Sequence, residues 1–371
     1  MKRFLCLLLL LLLPLTTALA EVLQPTVSLT ELIETQEDQT ILFSFVGDCT
    51  IGEQYTKRGY ASSYTSVIGK LGMDYPFSAV ADLFAEDDLT IANCEVVFTT
   101  RKPKKKAMAL CADPSWAQVF TLGNVDVVNM YNNHTLDFGE AGRADTRAAL
   151  EAAGIGYSDR GVPYITEIKG VKIAMISMCS AIRKDQMNEF RETLTDLREN
   201  QGVQFIILSA HWGKEDNYYV RGDQLRAEEF IDLGVDLIYG TGSHTLQPIE
   251  YYHGKIIMYS TCNFTFGANG SPKDKDTCVI QLKYDINEDG TLTASYLTAL
   301  PFKQNKDRDF RPYEIEDQAA REKCLAKLYS AKVTGKQKVA SNLPESFVTT
   351  GEVDLKAWQA ELDAAAAEAA Q

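Results

Sequence analysis

Six apolar runs, rich in β-branched residues and spaced by stretches of helical periodicity, constrain this chain more than any other feature. They are ILFSFVG (41–47), LTIANCE (89–95), VDVVNM (125–130), VKIAMISM (171–178), FIILSAHWG (205–213) and VDLIYG (235–240). Between them, Phe77, Val80, Leu83 and Phe84 recur at helical spacing within 76–86, and Asp113-Pro114 reads as a cap followed by a first-turn proline. Further helices are expected near 141–153, ending at Gly154, near 188–199, and over 221–233, ending at Gly234. Strands that are apolar along their whole length belong to sheets buried on both faces, with helices as the crossovers. The chain therefore reads as α/β.

From about 255 the pattern changes to KIIMYSTCNFTFG, TCVIQLKYDI and TLTASYLTAL. Asp289-Gly290 between the last two marks a hairpin, so antiparallel strands are expected to close this part. The segment 303–322 is highly charged, 322–331 reads as helical, and alanine propensity predicts a terminal helix over 354–370. The expected organisation is a main domain over 40–302 and a charged, largely helical extension over 303–371.

The first twenty residues carry Lys2 and Arg3, a leucine run, and Ala18 and Ala20 around Leu19, which is the pattern of a secretory leader cleaved after Ala20. No later window is apolar enough to span a bilayer, so a secreted, extracytoplasmic chain with no retained transmembrane segment is expected. Loss of the leader takes two basic residues from 37, leaving 35 against 51 acidic ones, a net charge of −16. Such a surface argues against nucleic acid as a partner. The basic stretch RKPKKK (101–106) reads as a solvated loop, or else as a site for an acidic polymer.

Seven cysteines remain after the leader: Cys49, Cys94, Cys111, Cys179, Cys262, Cys278 and Cys324. An odd number leaves at least one unpaired within the chain, and without a CxxC pair there is no zinc-ribbon or thioredoxin signature. Most lie in apolar runs, where a thiol packs as a small hydrophobe. A cysteine nucleophile at Cys49 or Cys94 is the minor alternative.

Chemistry-bearing residues gather where the strands end. Open α/β sheets place ligands at the carboxyl ends of their strands, which singles out Asp48, Asn93, Glu95, Asn133, His134, His211 and His244. Asp48 sits in FVGDCTIG, a sharp turn in which an aspartate could cap a helix as well as hold a cation. Carboxylate and amide oxygens suit magnesium or manganese, and added imidazoles suit zinc or iron. Asp137 is placed to fix the tautomer of His134. Trp212 is a candidate pocket wall, and Glu215 a surface charge or outer acceptor. A metal-dependent hydrolase would use His134, His211 and Asp48 as its catalytic groups. His253, in YYHGK, reads as a structural turn residue. Neither GxSxG nor GxxxxGKS occurs.

GDCTIG, NCE, NNHTLDFGEAG, HWGKE and the run from GTGSHTLQPIE to YSTCNFTFG, in this order, resemble the CapA family of bacterial capsule synthesis or poly-γ-glutamate biosynthesis proteins. The resemblance covers about 40–300. It implies a calcineurin-like metallophosphoesterase fold, a four-layer α/β/β/α sandwich, with one or two divalent ions (Mn, Fe, Zn or Mg) held by Asp48, Asn93, Glu95, Asn133, His134, His211 and His244. The implied partner is an anionic cell-envelope polymer or its synthase complex. The implied activity is hydrolysis of a phosphoester or amide; the alternative is a noncatalytic accessory that binds polymer or synthase. One departure stands out, because GTGSH (240–244) replaces a family GHHPH. Thr241 and Gly242 stand where imidazoles are usual, which weakens a second metal position.

Overall fold

The structure, a computed structural model, describes residues 39–103, 108–180, 186–218, 220, 222–329 and 341–369. The expected leader and its cleavage site lie outside these residues, as does the second half of RKPKKK, residues 104–106. The strand Thr40–Thr50, nearly continuously buried, organises the rest. Ile41, Phe43 and Phe45 point into one core, while Val46 and Cys49 point into another. Both faces of the sheet are thus covered, as a near-continuous apolar strand requires.

Thr40–Thr50 is flanked by parallel Leu89–Cys94, then Val127–Asn129 and Gly156–Ser158. On its other side run antiparallel Asp276–Ile286, Leu292–Lys303 and Tyr313–Glu314. Asn263–Phe266 joins the end of Thr40–Thr50 in parallel, and Glu352–Asp354 pairs with Leu292–Lys303. A second sheet runs in the order Ile249–Tyr252, Lys255–Met258, Leu237–Thr241, Phe205–His211, Val171–Cys179, Tyr164–Ile168, with its four inner strands parallel.

The two sheets pack face to face. Ile41, Phe43, Phe45 and Ile91 of the first meet Ile173, Met175, Phe205, Ile207 and Leu237 of the second. Phe43 stacks on Phe205 across the interface, with ring centroids 5.8 Å apart and planes within 11°. Behind the first sheet, Val46, Ala92 and Val128 pack with Phe84, Phe120 and Leu150 from its helices. Behind the second, Ala174, Ile206 and Leu208 pack with Leu194, Leu197, Phe230 and Ile231. The order helix, sheet, sheet, helix is the four-layer α/β/β/α sandwich that the family resemblance implies.

Helix boundaries depart from the periodicity in instructive ways. The expected helix 76–86 is split into a 3-10 turn, Tyr75–Phe77, with Pro76 in its first turn, and a short helix, Ala81–Ala85. Val80 breaks the path with φ −135°. The helix expected at 188–199 is Met187–Thr195 followed by a π turn, Asp196–Asn200. Described parts of the segment after 302 are built into the core. Cys324, Leu325 and Leu328 of helix Gln318–Tyr329, with Phe347, Val353 and Leu355, join the cluster that fills the space between the sheets. His253 is exposed at the turn between Ile249–Tyr252 and Lys255–Met258, with φ +50°. Among the described residues no helix is long and apolar enough to cross a membrane.

Candidate metal centre

Strand register assembles this site from distant residues. Asp48 stands opposite Asn93, and Asn93 opposite Asn129, on three adjacent parallel strands. On the second sheet His211 stands opposite Thr241. Gly47 permits the close approach that completes the edge. A Cβ there would lie 2.0 Å from the carbonyl oxygen of Cys262, the same oxygen that accepts the Asp48 N–H at 2.8 Å. His244 and Cys262 both adopt left-handed backbone, at φ +57° and +67°. Such conformations cost of the order of 1 kcal/mol or more and persist where the surroundings over-determine them.

Glu95 occupies the middle. It is fully buried, and neither carboxylate oxygen has a hydrogen-bond partner. The Nε2 atoms of His134, His211 and His244 lie 3.8, 3.8 and 4.0 Å from its Oε1. Each ring is held from behind through Nδ1. His134 is held by Asp137 Oδ2 at 2.7 Å, and His244 by Asn263 Oδ1 at 2.7 Å and Asp48 Oδ2 at 3.1 Å. Donation of Nδ1–H to an oxygen leaves the Nε2 lone pair free, the form in which imidazole binds a metal. His211 differs, because its Nδ1 faces the Asn93 amide nitrogen at 3.3 Å and the Thr241 hydroxyl at 3.1 Å.

The electrostatics follow from this crowding. Burial pushes the Glu95 carboxyl well above its ordinary range, and the Asp48 charge adds to the effect. Burial would also raise Asp48, but its bond to His244 and the nearby imidazoles outweigh that and hold it low. For His244, burial opposes the charged form, yet Glu95 and Asp48 overcome it and lift the ring to about 10. Burial drives His211 down to about 4, despite Asp48.

Ligand atoms of Asp48, Glu95 and His244 all lie within 4.8 Å of one another. A buried carboxyl whose oxygens make no hydrogen bond, with three imidazole nitrogens within about 4 Å of one of them, leaves several electron-pair donors facing one centre. The residues present therefore fit a divalent cation, since carboxylate with imidazole is a suitable donor set for zinc, manganese or iron.

The remaining expected residues fall around this cluster. Asn93 turns its amide nitrogen to Asp48 Oδ1 at 2.7 Å, while its oxygen accepts from Asn129 at 2.9 Å and Asn132 at 3.3 Å. Asn133 is exposed; its buried neighbour Asn132 reaches Asn93 and the Cys94 carbonyl. Trp212 packs in the core behind the second sheet and donates to the Tyr259 carbonyl at 2.8 Å. Glu215 is exposed, near enough for its charge to act on Glu95. At the sequence departure, Thr241 meets His211, and the Gly242 N–H lies 3.2 Å from Asp48 Oδ2. Asn129 and Asn263 were missed by the sequence reading. Both end apolar strands or stand next to one, the same signal that singled out Asn93.

Two facing sheets clad by helices, with carboxylates, amides and imidazoles meeting at their strand ends, define an α/β/β/α sandwich protein with a candidate cation site. The family model described as Bacterial capsule synthesis protein PGA_cap matches residues 42–268, and the chain belongs to that family. It is 28% identical over 285 residues to the PGA biosynthesis protein CapA of Bacillus subtilis, covering 70% of this chain and 71% of that one. It is 24% identical over 287 residues to the Capsule biosynthesis protein CapA of Bacillus anthracis, covering 70% and 67%. Among solved structures, a purple acid phosphatase from yellow lupin aligns over 74% of this chain and 53% of its own length, with 10% identity and a TM-score of 0.38. That likeness is too low to bear on the chemistry.

Proposed function

We propose that this is an exported protein of capsule or poly-γ-glutamate-type polymer synthesis, acting as a metal-dependent hydrolase on a phosphoester or amide of that polymer. The observation that carries the reading is Glu95, a buried carboxylate without a hydrogen-bond donor and faced by three imidazoles. The names of the two Bacillus relatives support the polymer context.

Asp48, Glu95 and His244 would hold the cation, with His134 and His211 completing its surroundings. A bound divalent ion supplies a Lewis acid that polarises a phosphoryl or acyl oxygen and makes water a better nucleophile. His134, kept in one tautomer by Asp137, presents Nε2 as the group that exchanges a proton with the leaving atom. Asn93, itself held by Asn129 and Asn132, orients Asp48. Asn133 at the rim, Trp212 behind His211 and Glu215 at the surface are assigned supporting roles.

A noncatalytic reading also has an observation in its favour. Thr241 and Gly242 contribute a hydroxyl and a backbone N–H where the family resemblance implies imidazoles. That composition favours one cation per chain, in a site that binds an anionic polymer or a synthase subunit without cleaving it. Calorimetric titration with Mn, Fe, Zn and Mg, followed by assays on phosphoesters and on γ-linked glutamyl amides, separates the readings. One cation bound and product formed supports the hydrolase; affinity for polymer without product supports the accessory. Absence of any bound cation, together with an Asp48→Ala variant that matches wild type in every assay, would sink the metal-centre reading.

A further inference from the structure

Cys278 lies on the strand Asp276–Ile286, and Cys324 on the helix Gln318–Tyr329. Both are wholly buried in the core between the sheets, and their sulfurs are 3.7 Å apart, across 46 positions of sequence. The other cysteines offer no such meeting among the described residues. Cys49 and Cys94 are register partners on adjacent strands, but their thiols turn to different carbonyls, those of Gly47 and Val96. The helix that carries Cys324 is also held in register on its strand. Lys327, one turn further on, binds Asp274 at 2.5 Å and Asp276 at 2.6 Å.

We propose that Cys278 and Cys324 form a disulfide when the chain folds outside the cytoplasm, clamping the helix Gln318–Tyr329 to the strand beside the one that bears Asp48. A disulfide needs its sulfurs at about 2.05 Å, a closure that side-chain rotation at two touching thiols can supply. The oxidant is a disulfide-bearing compound or protein of the extracytoplasmic space. One cysteine thiolate attacks it to give a mixed disulfide, and the second cysteine displaces the oxidant's sulfur. The new S–S bond forms, the oxidant's S–S bond breaks, two electrons pass to the oxidant, and it departs as a dithiol with the two protons. Burial and the neighbouring thiol keep Cys278 protonated in the folded core. Exchange therefore belongs to the stage before the helix seats, and the seated bond is sheltered from reductant.

The test uses the chain from Glu21 onward, without the expected leader and its Cys6, refolded in a mixture of reduced and oxidised glutathione, then denatured in iodoacetamide and mapped by peptide mass. The expected result is a cross-link joining Cys278 to Cys324, with Cys49, Cys94, Cys111, Cys179 and Cys262 alkylated. The cross-linked form should melt about 5 °C above the fully reduced form, from the loop entropy removed. Cys278→Ser should abolish both the cross-link and the shift, while Cys179→Ser keeps both. Alkylation of all seven, or a cross-link through any other cysteine, overturns the proposal. The wild-type map decides the matter even if Cys278→Ser does not fold.

Discussion

Two buried carboxylates in this molecule are treated in opposite ways. Asp159 is 1% exposed and fully compensated: Arg143 Nε reaches its Oδ2 at 2.7 Å, Arg147 Nη2 reaches the same oxygen at 2.5 Å, and the Arg160 N–H serves Oδ1 at 2.6 Å. Glu95, equally buried, has no donor on either oxygen. Taking a charge out of water is costly unless it is paired. Asp159 has solved that problem within the protein, whereas Glu95 has left it open at the point where three imidazoles converge. The difference separates a structural carboxylate from one poised for an external cation.

The contrast is broken most forcefully at Asp159. Asp159→Ala should cost about 3 kcal/mol of stability in urea unfolding, because it strands two guanidinium groups, while cation stoichiometry stays at the wild-type value. A comparable loss of cation binding in this variant would erase the distinction between the two sites.

Glu95→Gln should show the converse. Calorimetry should record a loss of divalent-ion affinity on the order of a hundredfold, while the metal-free protein is no less stable than wild type, since a neutral amide replaces a buried carboxyl that burial already biases toward its protonated form. Marked destabilisation of metal-free Glu95→Gln would mean that Glu95 is paired in a way its geometry conceals.

Asp137→Asn should have a smaller effect, about tenfold on ion affinity, because it disturbs the tautomer and aim of His134 rather than a direct ligand, along with the oxygen that accepts the Leu110 N–H at 2.7 Å. Asn263→Ala should act similarly through His244. Unchanged affinity in both would remove these two residues from the centre.

Proton linkage sharpens the comparison least but most cheaply. Glu95 has a raised pKa and must lose its proton to take up a cation, as must His244, lifted to about 10. Cation binding should therefore release protons and weaken as pH falls from 8 to 6. Calorimetry in buffers of different ionisation enthalpy measures that release, and a value of zero would contradict the ligand assignment.

The strands themselves were legible because their apolar runs are long and uninterrupted. So were Asp48, Glu95, His134, His211 and His244, since each directly follows such a run or stands in the turn after it. Asp137 was legible too, because three residues separate it from His134 and a local turn brings them together. Asn129 carries the same strand-end signal but lies within VDVVNM, where an asparagine also reads as ordinary loop entry. The helix expected at 76–86 was misjudged because periodicity measures which residues face the core, and a broken helix containing Pro76 can present the same face.

What the chain alone determined is therefore the alternation of elements and the chemical types available at their ends, both of which depend on neighbours in sequence. Tertiary structure decided which of those ends meet. Sheet register set Asp48 beside Asn93, the packing of one sheet on the other brought His211 and His244 to Glu95, and the packing of helix Gln318–Tyr329 on the strand Asp276–Ile286 drew Cys324 onto Cys278. These contacts span 45 to 149 positions of sequence, and no local periodicity encodes them. The choice of Asn132 over Asn133 as the buried amide was likewise settled by the direction of one turn in the folded chain.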